Sequence, residues 1–291
     1  MRGSMTIALI WSLFTASALA GTASGRFTVE GDKPGVIAPK HAAAFETRDP
    51  YDPRRRIIEI VLSGAPIDVE AALATLQPHT HVINQPALRE EDYILMWLMP
   101  DGRLDVNATF REGMVQYIAQ SGGNQRFSID AHTPQRIAGR LRSSEAVKTL
   151  SGDRYTFDVQ FDASIARPVR GKPLKKGGEA PGKALLGFLA AARKLHWPAI
   201  KAGSTPEALR FFEADYRTPK ENAETARDSL AVWLPKQGLR IIGGELRGDV
   251  ADLEIEGAMF PGTPALYLAR MRKSGAAWLF EGAGIVGMLP K

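Results

Sequence analysis

The chain is 291 residues long, has no cysteine, and carries a formal net charge of +5 from 37 basic and 32 acidic residues. Its length allows two domains of ordinary size, and the absence of cysteine excludes disulfides, thiolate chemistry and a lipid-attachment thiol. The excess charge is local: Arg167 to Lys183 holds six bases and one acid, while the rest of the chain after residue 20 holds 30 and 31, an even balance unlike that of a nucleic-acid-binding face.

The first twenty residues, MRGSMTIALIWSLFTASALA, combine a basic start at Arg2, an apolar run from Ile7 to Phe14 and a small-x-small end at Ala18 to Ala20. This pattern predicts a secretory signal peptide cleaved near Ala20, and hence a periplasmic or secreted location. The apolar run is too short for a comfortable membrane span.

From Gly25 to Ala166 the chain reads as strands. Arg54–Ser63, "RRRIIEIVLS", is β-rich, and Asp92–Val106 splits into two runs about Asp101-Gly102, a hairpin signal because both residues tolerate positive φ. In "RYTFDVQFDA", Tyr155, Phe157, Val159 and Phe161 share one face, opposite Thr156, Asp158, Gln160 and Asp162. One helix is predicted, capped by Asp68 and carrying Leu73 and Leu76 inward. The expected fold of this part is all-β, a sandwich or an open barrel with one short helix. "RDPYDPRRR" lacks the carboxylate density of a calcium loop, and two Asp-Pro turns entering a strand explain it.

His79 and His81 have a chelating spacing if they lie on a strand, where residues two apart share a face. Zinc or copper requires a third and a fourth ligand. His41 and His132 are the other histidines of this part, and nothing in their spacing brings them to the pair. No metal and no cofactor are expected.

Arg167–Lys183, "RPVRGKPLKKGGEAPGK", has four glycines, three prolines and no aromatic residue. It reads as a flexible basic linker between two bodies. If it also touches an anionic membrane surface, Lys172, Lys175 and Lys176 carry that contact.

Residues 184–291 read as helices and then strands. "KALLGFLAAARKLHW" has a helical apolar stripe, and Ser204–Glu207 and Thr218–Glu221 fit the capping box with proline at the first helical position. "VADLEIEG" alternates, with Asp252, Glu254 and Glu256 opposite the apolar set and so expected to face water. "GGELRG" in the strand before it reads as a bulge. Short connections predict an antiparallel sheet.

Three helices followed by an antiparallel sheet, over roughly the last 105 residues, resemble the cone-shaped fold of nuclear-transport-factor-like and ketosteroid-isomerase-like proteins. The earlier part, with "HAAAFETRDPYDP", "RIAGRL" and "YTFDVQFDA", is similar to an uncharacterised exported bacterial family. The first resemblance implies an α+β cone with a pocket between helices and sheet, which an isomerase would equip with a buried carboxylate. Trp233, Tyr267 and Trp278 are the candidate pocket aromatics, and Glu281 is the one acid whose side the pattern leaves open.

There is no Gly-x-Ser-x-Gly elbow, Walker loop or His-Glu-x-x-His helix. The expected function is therefore an exported, non-catalytic binding or interaction protein, of antagonist, immunity or envelope-associated type. Its expected partner is an unidentified protein or a small apolar ligand, and not nucleic acid. The alternative is a cone-pocket isomerase or hydratase acting on a small apolar substrate.

Overall fold

The computed structural model describes residues 21–110, 115–120, 122–149 and 152–290; the expected signal peptide lies outside them. The first body begins with strands β1 (Gly21–Glu30), β2 (Gly35–Ile37), β3 (His41–Arg48) and β4 (Arg56–Ser63). Three short helices follow, α1 (Val69–Leu73), α2 (Pro78–Ile83) and α3 (Pro86–Arg89). The body continues with β5 (Tyr93–Leu98), β6 (Leu104–Phe110), β7 (Val115–Gln120), β8 (Gln125–His132), β9 (Arg136–Ser143), β10 (Val147–Lys148) and β11 (Arg154–Ala166). All pair into one sheet whose main path runs β7-β6-β5-β4-β3-β1-β11-β9-β8.

That sheet curls. Tyr117 on β7 approaches Tyr155 on β11 to 5.9 Å between ring centroids, and the Tyr155 hydroxyl donates to the carbonyl of Ile118 at 3.2 Å. The inner face is the core, where Phe27 stacks on Tyr155 at 5.3 Å and on Phe157 at 5.5 Å. The alternation of β11 is realised residue by residue, with Tyr155, Phe157, Val159 and Phe161 buried and their neighbours outside or half-exposed. A second cluster forms on the outside of the curl. Phe45, Val61, Tyr93 and Leu95 of β3 to β5 pack there under Val69, Ala72, Val82 and Leu88 of the helices. Strand β4 is thus covered on both faces, which is why its sequence is a continuous apolar run instead of an alternation. Three helices stand where the sequence predicted one. Pro78 and Pro86 each sit in a first helical turn, where the missing N–H costs nothing.

The second body comprises β12 (Lys172–Leu174), α4 (Glu179–Arg193), α5 (Trp197–Ala202), α6 (Pro206–Phe212) and α7 (Pro219–Trp233), then β13 (Gln237–Arg247), β14 (Val250–Phe260), β15 (Thr263–Ser274) and β16 (Ala277–Met288). Its five strands are antiparallel in the order β12-β13-β14-β15-β16. The helices cover one face, with Phe188 of α4 stacked on Phe280 of β16 at 4.7 Å. Thr218 forms the expected capping box with Glu221. At α6 the cap is Thr205, adjacent to Pro206, and the Ser204 hydroxyl donates to the Ile200 carbonyl at 2.7 Å instead. The helix expected over Lys183–Trp197 ends at Arg193, with Leu195 at φ +54, and a further helix, α5, begins at Trp197. A register shift between Ile241 and Gly243 places a bulge at the glycine pair of β13. Among the described residues, no helix is long and apolar enough to cross a membrane.

The stretch read as a flexible linker takes regular structure. Lys172–Leu174 pairs with β13, and α4 begins within the stretch at Glu179. Its glycines serve close packing: a Cβ on Gly178 would lie 2.6 Å from Leu253, and one on Gly182 would lie 1.9 Å from the carbonyl oxygen of Gly177. Gly178 also holds φ +67, a conformation costly for other residues.

Candidate functional site

The outer face of β14 carries Asp252, Glu254 and Glu256 as the alternation requires, yet that face does not look into water. The first body docks there through arginines, because a row of carboxylates attracts guanidinium groups that can bind them in parallel. Arg48 pairs with Glu254, and Arg54 reaches Glu256 at 3.0 Å beside Arg240 at 2.9 Å. Asp252 receives Arg270 at 2.6 and 2.9 Å and also Arg247. Arg270 crosses to the carbonyl of Ala74 after α1, and Gln77 donates to Ile285 at 2.6 Å. The former linker closes one side: Arg170 pairs with Glu46 and lies 3.6 Å from Glu245, with Arg167 at 3.4 Å from Glu46.

These contacts border an open cavity of about 160 Å³ between the bodies. Its charged lining includes Arg48, Arg56 and Arg170, and its apolar lining includes Leu73, Leu76, Trp97, Leu268 and Ile285. The β3–β4 loop positions the arginines. Asp49 accepts from the N–H of Tyr51 at 2.8 Å, an Asp-Pro turn of the expected kind. The strand register then sets Arg48 directly opposite Arg56. Like charges in that relation repel unless each is neutralised. Arg48 has Glu254; the Arg56 side chain has no hydrogen-bond or ion-pair partner among the described residues. Burial, followed by the charges of Arg48 and Arg170, pulls the Arg56 pKa down to about 10.

Glu59, 1 % exposed, sits where the apolar run of β4 would place a hydrophobic residue. Its carboxylate is satisfied by His79 Nδ1 at 2.8 Å and by the indole N–H of Trp97 at 3.3 Å. All three residues line the cavity. Burial pulls the His79 pKa down, but the hydrogen bond and charge of Glu59 outweigh it and leave the pKa above 6.5. A raised folded-state pKa stabilises the fold fully below pH 6.5, and this contribution is lost as the pH rises through the raised value. In a proton NMR titration, His79 is expected to titrate above 6.5, and Glu59→Gln should bring the midpoint below it, since burial then acts alone. An unchanged midpoint in the variant would rule out Glu59 as the cause.

His79 and His81 lie on helix α2, not on a strand, so their side chains diverge by about 200° and cannot share one ion. Among the described residues no group of three or more metal-ligating side chains occurs. Tyr267 is buried in the core of the second body, where burial raises its hydroxyl pKa. Trp233 and Trp278 are half-buried against that core, and Trp233 meets Phe211 edge-on at 6.0 Å. None of the three lines the cavity between the bodies. Glu281 pairs with Arg272 at 3.1 Å, and no carboxylate of the second body is buried among the described residues. Lys172, Lys175 and Lys176 are exposed.

The residues that the sequence reading missed are Arg48, Arg56, Glu59, Trp97 and Arg170. One signal was available: an acid at Glu59 inside an otherwise apolar strand announces a buried partner. The chain matches no family model, no curated protein and no solved structure.

Proposed function

We propose that the protein is an exported, non-catalytic binding protein that holds a small ligand in the cavity between its two bodies. The observation that carries this reading is the cavity itself, which is bounded by β3, β4 and the α1–α2 region on one side and by β13 to β16 on the other. Small-molecule sites favour such junctions and combine apolar walls with a few polar groups. The helix-then-sheet order supports a cone-like second body, but as a scaffold and not as the chamber of an isomerase. Its acids Asp252, Glu254, Glu256 and Glu281 are all engaged by arginines outside its core.

Native mass spectrometry on protein recovered gently from the periplasm should reveal a bound small molecule. The same chain, unfolded and refolded in clean buffer, should lack that mass and melt at a lower temperature. A bare mass in both samples with identical melting would count against the reading.

A further inference from the structure

The class of ligand follows from the one arginine side chain of the cavity lining that has no partner among the described residues, and this step rests on the binding role proposed above. Every carboxylate that lines the cavity already has a donor: Glu46 is held by Arg170, Glu59 by His79, Glu245 by the backbone N–H of Gly171, Asp252 by Arg270 and Glu254 by Arg48. Arg56 is the exception among the lining arginines. The acids that act on it, Glu46 and Glu245, do so through space and not within ion-pair distance. Its guanidinium presents a planar array of donors suited to two oxygens of one anion. The repulsion from Arg48 across the strand pair is relieved when an anion sits on it. Leu73, Leu76, Trp97, Leu268 and Ile285 supply the apolar part of the wall.

We infer that the cavity takes a small molecule bearing a carboxylate or phosphate on an apolar body, with the anionic group on Arg56 and the body against Trp97 and Leu268. Neither end alone suffices, since the apolar wall has no preference among uncharged molecules and the guanidinium none among small anions.

The test is isothermal titration calorimetry on the full folded chain with four probes: benzoate, phenyl phosphate, benzyl alcohol and inorganic phosphate. At least one of the two aromatic anions should bind about tenfold or more tighter than benzyl alcohol, the gain expected of a charge-assisted pair. It should also bind more tightly than inorganic phosphate, and which of the two wins identifies carboxylate or phosphate as the head group. Arg56→Gln should erase the advantage over benzyl alcohol, while Lys172→Gln, on the exposed strap, should leave all four titrations unchanged. Equal binding of benzyl alcohol and both anions would overturn the anionic head while leaving the binding role intact. Equal binding of inorganic phosphate and phenyl phosphate, with benzoate no tighter than either, would overturn the apolar body. An Arg56→Gln protein that retains the anion preference would overturn the placement. Failure of all four to bind would remove both this inference and the role on which it rests. The comparison among probes on the unaltered chain stands even if the variant does not fold.

Discussion

Asp252→Ala is expected to lower the unfolding free energy by about 3–5 kcal/mol, the cost of stranding a buried charge. Asp252 accepts two hydrogen bonds from Arg270, whose side chain is 10 % exposed, and a further one from Arg247. Removing the carboxylate leaves a guanidinium with little water and only the Ala74 carbonyl to receive it. Replacing both partners by apolar residues, Asp252→Leu with Arg270→Met, should recover much of the loss, because neither charge is then desolvated. Recovery should stay incomplete, since Arg247 remains without its carboxylate and the bond to Ala74 is gone. Urea unfolding of the three proteins measures this. A loss below about 1 kcal/mol for Asp252→Ala would mean that the pair behaves as a solvated surface bridge.

Phe280→Ala should cost a similar amount, about 3–5 kcal/mol, for a different reason. The ring is fully buried, stacked on Phe188 at 4.7 Å and near Phe212 at 6.4 Å, so its removal opens a cavity between the helices and the sheet. The backbone of Phe280 also receives the chain between α5 and α6, through Gly203 at 2.7 Å and Thr205 at 2.9 Å. These bonds survive the substitution and prevent the helices from settling into the space. Phe280→Leu leaves a smaller cavity and should cost less. Denaturant midpoints with an unchanged slope would report this as lost packing. Equal costs for alanine and leucine would show that the site collapses freely.

What could be read from the sequence followed the range of the interactions. The faces of β11, the cap at Asp68 and the box at Thr218 depend on neighbours within a few residues, and the structure has them as expected. The turn at Asp101-Gly102 is likewise local, with Gly102 at φ +84. The candidate site is not local: Arg48 meets Glu254 across 206 positions, and Arg170 meets Glu46 across 124. Alternation correctly put Asp252, Glu254 and Glu256 on one side, but periodicity says nothing of what covers that side. The strap was misread because glycine has two uses. Its composition predicts freedom, whereas Gly178 and Gly182 are required where backbone and side chains come too close for any Cβ. The divergence of His79 and His81 turns on one proline: Pro78 opens a helix turn, and on a helix two residues apart means opposite sides.

The seam between the halves is closed by guanidinium–carboxylate pairs and crossed by the chain once, near Arg167–Gly171. Parting such a seam wets its charged groups and bares only the apolar lining of the cavity, Leu73, Leu76, Trp97, Leu268 and Ile285. Dissolved salt weakens the same pairs. Raising the ionic strength is therefore expected to loosen the halves and to ease the passage of a solute into and out of the hollow they share.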